Sequence, residues 1–273
     1  MSLQMALPVV ETFLGQSALF ERIVSLHMTT IHPASPLEVH CHFQMCSTRA
    51  KSLTRLHLNG FPNNPNAIGL EDIIIDMQIM EPILSCPHLT KLMIKYLTLL
   101  CLSESDLRLI GVKLPKLRKL LLGQSPFRLS PPHLSISVLL PILENNYPNL
   151  EIIGLFLEGN DPMNVTKFHE PHPTLRQLRL GLSPLSKENT HEAALILSTL
   201  FTIQSKSDSP SHWAYASSEF ADAYRLQQLE DYWGVWFDVQ CKLSLLVAAR
   251  DDERRMYEDM QEFAVYKKKG ISF

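Results

Sequence analysis

The chain has 273 residues, 45% of them hydrophobic and 19% charged, with 25 Lys and Arg against 28 Asp and Glu. These are the proportions of an ordinary folded protein of one or two domains, and a net charge of −3 supplies no general attraction to nucleic acid or to an anionic membrane. Five scattered cysteines fit reduced thiols rather than a disulfide framework, no apolar run approaches the roughly 18 residues of a membrane span, and the N-terminus lacks the basic start of an export signal, so an intracellular protein, cytoplasmic or nuclear, is expected.

In chain order, residues 1–20 contain PVVETFL, where Val9, Val10, Phe13 and Leu14 share a helix face. The segment is expected to be an outer helix whose strand is missing, with no polar cap before it, as if the protein had once continued upstream. The first strand should then expose an unpaired edge, and the isolated chain should self-associate.

ERIVSLHM at 21–28 is the first of six copies of one phrase, followed by KSLTRLHL (51–58), PHLTKLMI (87–94), PKLRKLLL (115–122), PNLEIIGL (148–155) and PTLRQLRL (173–180). Their first apolar positions, Ile23, Leu53, Leu89, Leu117, Leu150 and Leu175, are 30, 36, 28, 33 and 25 residues apart, the period of a stacked repeat protein. Apolar residues at i and i+2 share one face of a short strand. One unit cannot bury its own apolar edge, so parallel stacking with outer crossovers is expected. Strands are predicted at 24–28, 55–58, 91–94, 119–122, 152–157 and 177–180.

The connections read as follows. Residues 37–46 cluster His40, Cys41, His42 and Cys46, a spacing that suits two or three zinc ligands; without a second paired motif a buried Cys beside partly exposed His is the better reading, and no metal or other cofactor is expected. Residues 70–84 predict a helix with Glu71 and Asp72 in its first turn, stopped near Pro82. Ser103 and Asp106 form a capping-box pattern for the next helix, 134–143 give another outer element, and the polar stretch 160–172 is too broken for a helix. A helix is predicted over 187–203, then a linker at 205–218. Beyond it Leu226, Leu229, Trp233, Trp236, Leu243 and Val247 mark a helix with one apolar, aromatic-rich face, expected to cap the open end of the sheet. RDDERR at 250–255 reads as a solvated face with Asp251 and Arg255 paired at i,i+4. The organisation expected is α/β: a leucine-rich-repeat-like solenoid over 1–205, with parallel strands on the concave side and helices outside, then a linker and helical cap over 206–273.

The phrase resembles the leucine-rich repeat L-x-x-L-x-L, with longer, irregular units and only Asn59 near the usual ladder position. PNLEIIGLFLEGN, HPTLRQLRLGLSPLS and the Trp-containing helix running into LLVAARDDER together resemble the C-terminal half of fungal F-box and leucine-rich-repeat proteins. That resemblance implies the substrate-recognition part of a ubiquitin-ligase receptor. No F-box is present to dock the ligase adaptor, so a free-standing scaffold or a fragment with no ligase role is the alternative.

GxGxxG, Walker, HExxH and GxSxG motifs are lacking, so a non-enzymatic binding module is expected. Strand alternation assigns 18 side chains to the concave side. Five are Lys or Arg and none is acidic, where whole-chain counts predict fewer than two of each. Arg55, His57, Lys91, Lys95, Lys119 and Arg179 form the polar part of the candidate surface, and Leu121, Ile152 and Phe156 an exposed apolar patch beside it. Such a face suits an acidic or phosphorylated segment of a protein partner carrying an apolar anchor.

Overall fold

A computed structural model describes residues 2–4, 21–30, 35–60, 74–96, 100–123, 134–160, 171–181, 183–201 and 223–268. The second to sixth copies of the phrase each start with a tight turn. The N–H groups of Leu53, Leu89, Leu117 and Leu150 donate to the carbonyls of Ala50, Cys86, Leu114 and Tyr147, three residues back, at 3.0 to 3.2 Å. Pro87, Pro115 and Pro148 occupy the second position of that turn, where a φ fixed near −65° is already the required one. In the last copy a side chain replaces the carbonyl: Leu175 N–H donates to His172 Nδ1 at 3.1 Å, and His172 Nε2 donates to Tyr147 O at 2.9 Å. Since Nδ1 accepts, the proton sits on Nε2. Every one of these turns drives its leucine into the core, where all are at most 1% exposed.

The strands follow directly: β1 (Ser2–Gln4), β2 (Ser25–Thr29), β3 (Arg55–Gly60), β4 (Ile75–Asp76), β5 (Lys91–Tyr96), β6 (Leu100–Cys101), β7 (Lys119–Leu122), β8 (Ile152–Gly154) and β9 (Gln177–Arg179). Seven form one parallel sheet in the order β1-β2-β3-β5-β7-β8-β9, so strands of this sheet are added in chain order, and β4 and β6, which lie between them in sequence, form a separate parallel pair. One bonding device recurs at each step. The carbonyl just before a strand accepts two successive N–H groups from the next unit: Val24 from Thr54 and Arg55, Thr54 from Thr90 and Lys91, Thr90 from Arg118 and Lys119, Arg118 from Glu151 and Ile152, Glu151 from Arg176 and Gln177. The alternation of period two then buries Leu26, Leu56, Leu92, Leu120, Ile153 and Leu178 on one face, none more than 6% exposed, each such side chain contributing about 1.5–3 kcal/mol of transfer free energy.

The first predicted strand, β2, is not an edge. β1 pairs with β2 in register Ser2 to His27 and Gln4 to Thr29, which corrects the expectation of an outer helix without a strand and of an open ladder on β2; the helix expected around Val9 to Leu14 lies outside the described residues.

The connections are helices where capping residues permit. Helix α1 (Pro36–Arg49) opens with a reciprocal capping box, Glu38 N–H donating to Ser35 Oγ at 3.3 Å and Ser35 N–H to Glu38 Oε2 at 2.6 Å. The helix expected over 70–84 is replaced, within the described residues, by β4, a single turn α2 (Met77–Met80) and a 3-10 segment at Glu81–Ser85. Ile75 is fully buried and pairs with Leu100, so strand pairing claims residues that helical periodicity had assigned, and Asp76 caps α2 by accepting from Ile79 N–H at 3.1 Å; Glu71 and Asp72 lie outside the described residues. Helix α3 (Glu104–Lys113) carries the expected Ser103–Asp106 box. It meets α4 (Leu139–Asn146) at Gly111, where a Cβ would lie 2.6 Å from Asn146 O. Tyr147, 2% exposed, donates its hydroxyl to Leu107 O at 2.6 Å beside that contact.

Helix α5 (Thr190–Ser198) is shorter than the expected 187–203, and the expected linker at 205–218 lies outside the described residues. The long helix α6 (Ala223–Lys268) packs on α5. Val235, Trp236 and Val239 join the core, Trp236 Nε1 donates to Ser183 O at 2.8 Å, and Lys242 and Arg250 bond the hydroxyls of Thr190 and Ser198 at 2.7 Å. The side chains of Leu226, Leu229 and Trp233 lie outside the described residues. The expected Asp251–Arg255 pair is not formed. Asp251 is 8% exposed and pairs with Arg254 at 3.1 Å, and Arg255 instead approaches Asp252 at 3.9 Å. Asp251 turns inward toward the α5 side of the helix, away from Arg255. No described helix is long and apolar enough to cross a membrane.

A cationic sheet face as candidate functional site

The residues between the buried leucines face away from the core, and strand register arranges them in rows about 4.8 Å apart from strand to strand. One row runs Ser25, Arg55, Lys91, Lys119, Ile152, Gln177; the next His27, His57, Met93, Leu121, Gly154, Arg179; a third holds Thr29, Asn59 and Lys95. Three cations, Arg55, Lys91 and Lys119, are therefore consecutive neighbours. Lys95 and Arg179 stand beyond them around Met93, Leu121 and Gly154. Because Gly154 has no side chain, nothing in the row separates Arg179 from the lysines, and its Nε and Nη2 are steadied by Gln177 Oε1 at 3.1 and 3.0 Å.

The electrostatics record the crowding. Burial, then Arg179, holds the Lys95 ammonium below its usual range, and Lys119 is lowered by burial and by Arg179, Lys91 and Lys95. Burial also lowers Arg179. His57 is pushed down to about 4, by burial first and then by His27, Lys95 and Lys119, so its imidazole is neutral at pH 7. Among the described residues no carboxylate pairs with Arg55, Lys91, Lys95 or Lys119; the nearest acid in sequence to this face, Glu151, is held by Arg118, whose Nε lies 2.9 Å away.

Two of the expected apolar contacts are misplaced. Leu121 is fully buried and Phe156 is 8% exposed, so neither offers an open patch, whereas Ile152 is half-buried on the cationic row. For Phe156 the cause is the early end of β8 at Gly154. The next residues leave strand geometry: Leu155 N–H donates to Arg179 O, Leu157 N–H to Ser183 Oγ, and Glu158 pairs with Ser135, so Leu155, Phe156 and Leu157 are all buried and the two-residue alternation no longer applies. Leu121 lies between Met93 and Gly154 in the middle row and is fully buried there.

Two histidines of this face, His57 of the candidate site and His27 beside it, prove informative. His27 and His57, register partners, stack with ring centroids 4.2 Å apart and planes 9° apart. Their Nε2 atoms and Asn59 Oδ1 are buried without a hydrogen-bond partner. The sequence signal was the 30-residue separation of the two histidines, equal to the spacing between the first two copies of the phrase.

Comparison with family models, curated proteins and solved structures finds no match. The chemistry of this face therefore rests on its own residues. The His40, Cys41, His42 and Cys46 cluster does not converge: α1 turns His42 and Cys46 into the core, where His42 Nε2 and Cys46 Sγ are 3.4 Å apart, and leaves His40 and Cys41 half-buried on other faces. Among the described residues no group of three or more potential ligands could hold a metal ion.

Proposed function

We propose that the chain is a non-enzymatic protein-interaction module, a leucine-rich-repeat-like solenoid of irregular units whose concave sheet face receives an acidic segment of an intracellular protein partner. The observation that carries this reading is the row of Arg55, Lys91 and Lys119, joined by Lys95 and Arg179, on a face where no described carboxylate pairs with its lysines or Arg55. Burial and the neighbouring cations disfavour the Lys119 charge, so an anionic ligand that crosses the strands gains the attraction of Arg55, Lys91, Lys95 and Lys119 without first breaking ion pairs of these four with described carboxylates.

The solenoid reading is supported by the strand order, which follows the chain, and by the five-fold recurrence of the doubly accepting carbonyl between units. Within this reading the module is similar in kind to the substrate-recognition part of an F-box receptor. The test is fluorescence anisotropy of a labelled Glu-rich peptide against the full chain, with a Gln-for-Glu peptide as control. Saturable binding of the acidic peptide alone, weakening as salt rises toward physiological strength, is the expected result; equal behaviour of the two peptides would exclude the proposal.

A further inference from the structure

The cationic face carries more than charge. His27 Nε2, His57 Nε2 and Asn59 Oδ1 are three buried polar atoms with no partner, on adjacent positions of β2 and β3, and buried polar groups in folded proteins are ordinarily bonded. His57 is within electrostatic reach of Lys95 and Lys119, and both lysines of Arg179.

A metal ion does not explain the histidines. Ring planes 9° apart at 4.2 Å keep the two in-plane Nε2 lone pairs nearly parallel, so they cannot converge on one ion at the ~2.0–2.1 Å that imidazole coordination requires, and the surrounding lysines repel a cation. An anion suits every group. Neutral imidazoles in the Nε2–H tautomer are donors, and the Asn59 amide turned over presents Nδ2–H at the same place, an assignment that the hydrogen-bond network decides.

The charge count then selects the anion. Lys95 and Lys119 both act electrostatically on His57, and one carboxylate brings a single negative charge and two oxygens. A phosphoryl group brings a charge of roughly −1.5 to −2 and three acceptor oxygens, enough to engage several cations and the neutral donors together. We propose that this cluster is a receptor for a phosphorylated side chain of the bound segment, with Lys95 and Lys119 supplying the counter-charge and the His27–His57 pair with Asn59 supplying uncharged donors. The inference rests on the reading of this face as the partner-binding surface and names the group that it selects.

The experiment is an NMR titration of the full chain, following the imidazole nitrogens of His27 and His57. The probes are N-acetyl-phosphoserine amide, N-acetyl-glutamate amide and inorganic phosphate, at constant ionic strength. Saturable shifts of both Nε2 signals are expected, with phosphoserine amide at least about ten-fold tighter than glutamate amide, a difference of about 1.4 kcal/mol, and tighter than inorganic phosphate. Lys95→Gln with Lys119→Gln should weaken it by a further order of magnitude, and an unchanged far-UV spectrum of that variant would separate lost binding from lost fold. Equal affinity for phosphoserine and glutamate amides would overturn the phosphoryl inference while leaving the acidic-segment reading standing. Inorganic phosphate binding as tightly as phosphoserine amide would overturn the assignment to a side chain, and failure of phosphoserine amide in the unaltered chain would overturn the site. If the Glu-rich peptide fails as well, both readings fall together.

Discussion

His27 and His57 face each other across neighbouring parallel strands as a stacked pair, and neither Nε2 has a hydrogen-bond partner. The arrangement holds only while the imidazoles are uncharged, since two imidazolium rings 4.2 Å apart would repel in a site already crowded with lysine. Sequence repetition produced the contact: equivalent positions of successive units become register partners, so identical residues stack.

Acid should therefore destabilise the protein through its histidines. His57 and the fully buried His42 both titrate near 4, lowered chiefly by burial, against 6.5 for a free imidazole. The unfolded chain binds more protons between these values, so stability is intact above about pH 6.5 and is lost as pH falls toward 4. For His42 the loss reaches about 3 kcal/mol by pH 4, with a smaller share from the more exposed His57. Urea midpoints at pH 7 and pH 4.5 measure this, and His42→Leu should flatten the pH dependence. A midpoint that His42→Leu changes equally at both pH values would show that His42 takes up its proton without resistance.

Leu120 lies at the centre of the continuous core and is fully buried. Leu120→Ala should cost about 2–5 kcal/mol, as a cavity the packed strands cannot refill, read as a lower urea midpoint. A loss under about 1 kcal/mol would mean that the sheet collapses around the site and that packing between units is loose.

Trp236 ties α6 to the end of the sheet, 5% exposed and bonded to Ser183 O. Trp236→Ala removes a large buried ring, with an expected cost of about 3–5 kcal/mol, and should make α6 the first region cut in limited proteolysis. Unchanged cleavage of α6 would indicate that Val235, Val239 and Val247 alone secure the helix.

The repeated phrase made the six strands and their buried leucines readable, because Leu-x-x-Leu-x-Leu combines a turn position with two same-face strand positions, and both constraints survive without knowledge of the neighbours. Leu121 and Phe156 were misread for opposite reasons. Leu121 holds its expected strand position but is fully buried there. Phe156 lost its position because β8 stops at Gly154, where bonds to Ser183 and Ser135 redirect the chain. β1 and the β4–β6 pair were illegible because these short strands lie outside the repeated phrase, which is what revealed the equally short β8 and β9. Asp251 and Arg255 illustrate a different limit: i,i+4 spacing allows a pair, but docking of α6 on α5 turned Asp251 inward and gave it Arg254 instead. The charge bias of the face was legible in the strand alternation; the orphaned histidine nitrogens required the register.

The central claim is that the cationic row binds an acidic segment. Its most direct measurement is the affinity of the labelled Glu-rich peptide for the unaltered chain and for Lys91→Glu with Lys119→Glu, with thermal unfolding of both. These two side chains are neighbours in register and lie outside the core, and Lys119 is disfavoured by the surrounding cations, so reversal should leave the unfolding temperature unchanged or raise it while abolishing peptide binding. Full peptide affinity in a folded double variant would contradict the account and reduce the cationic row to a solvated surface.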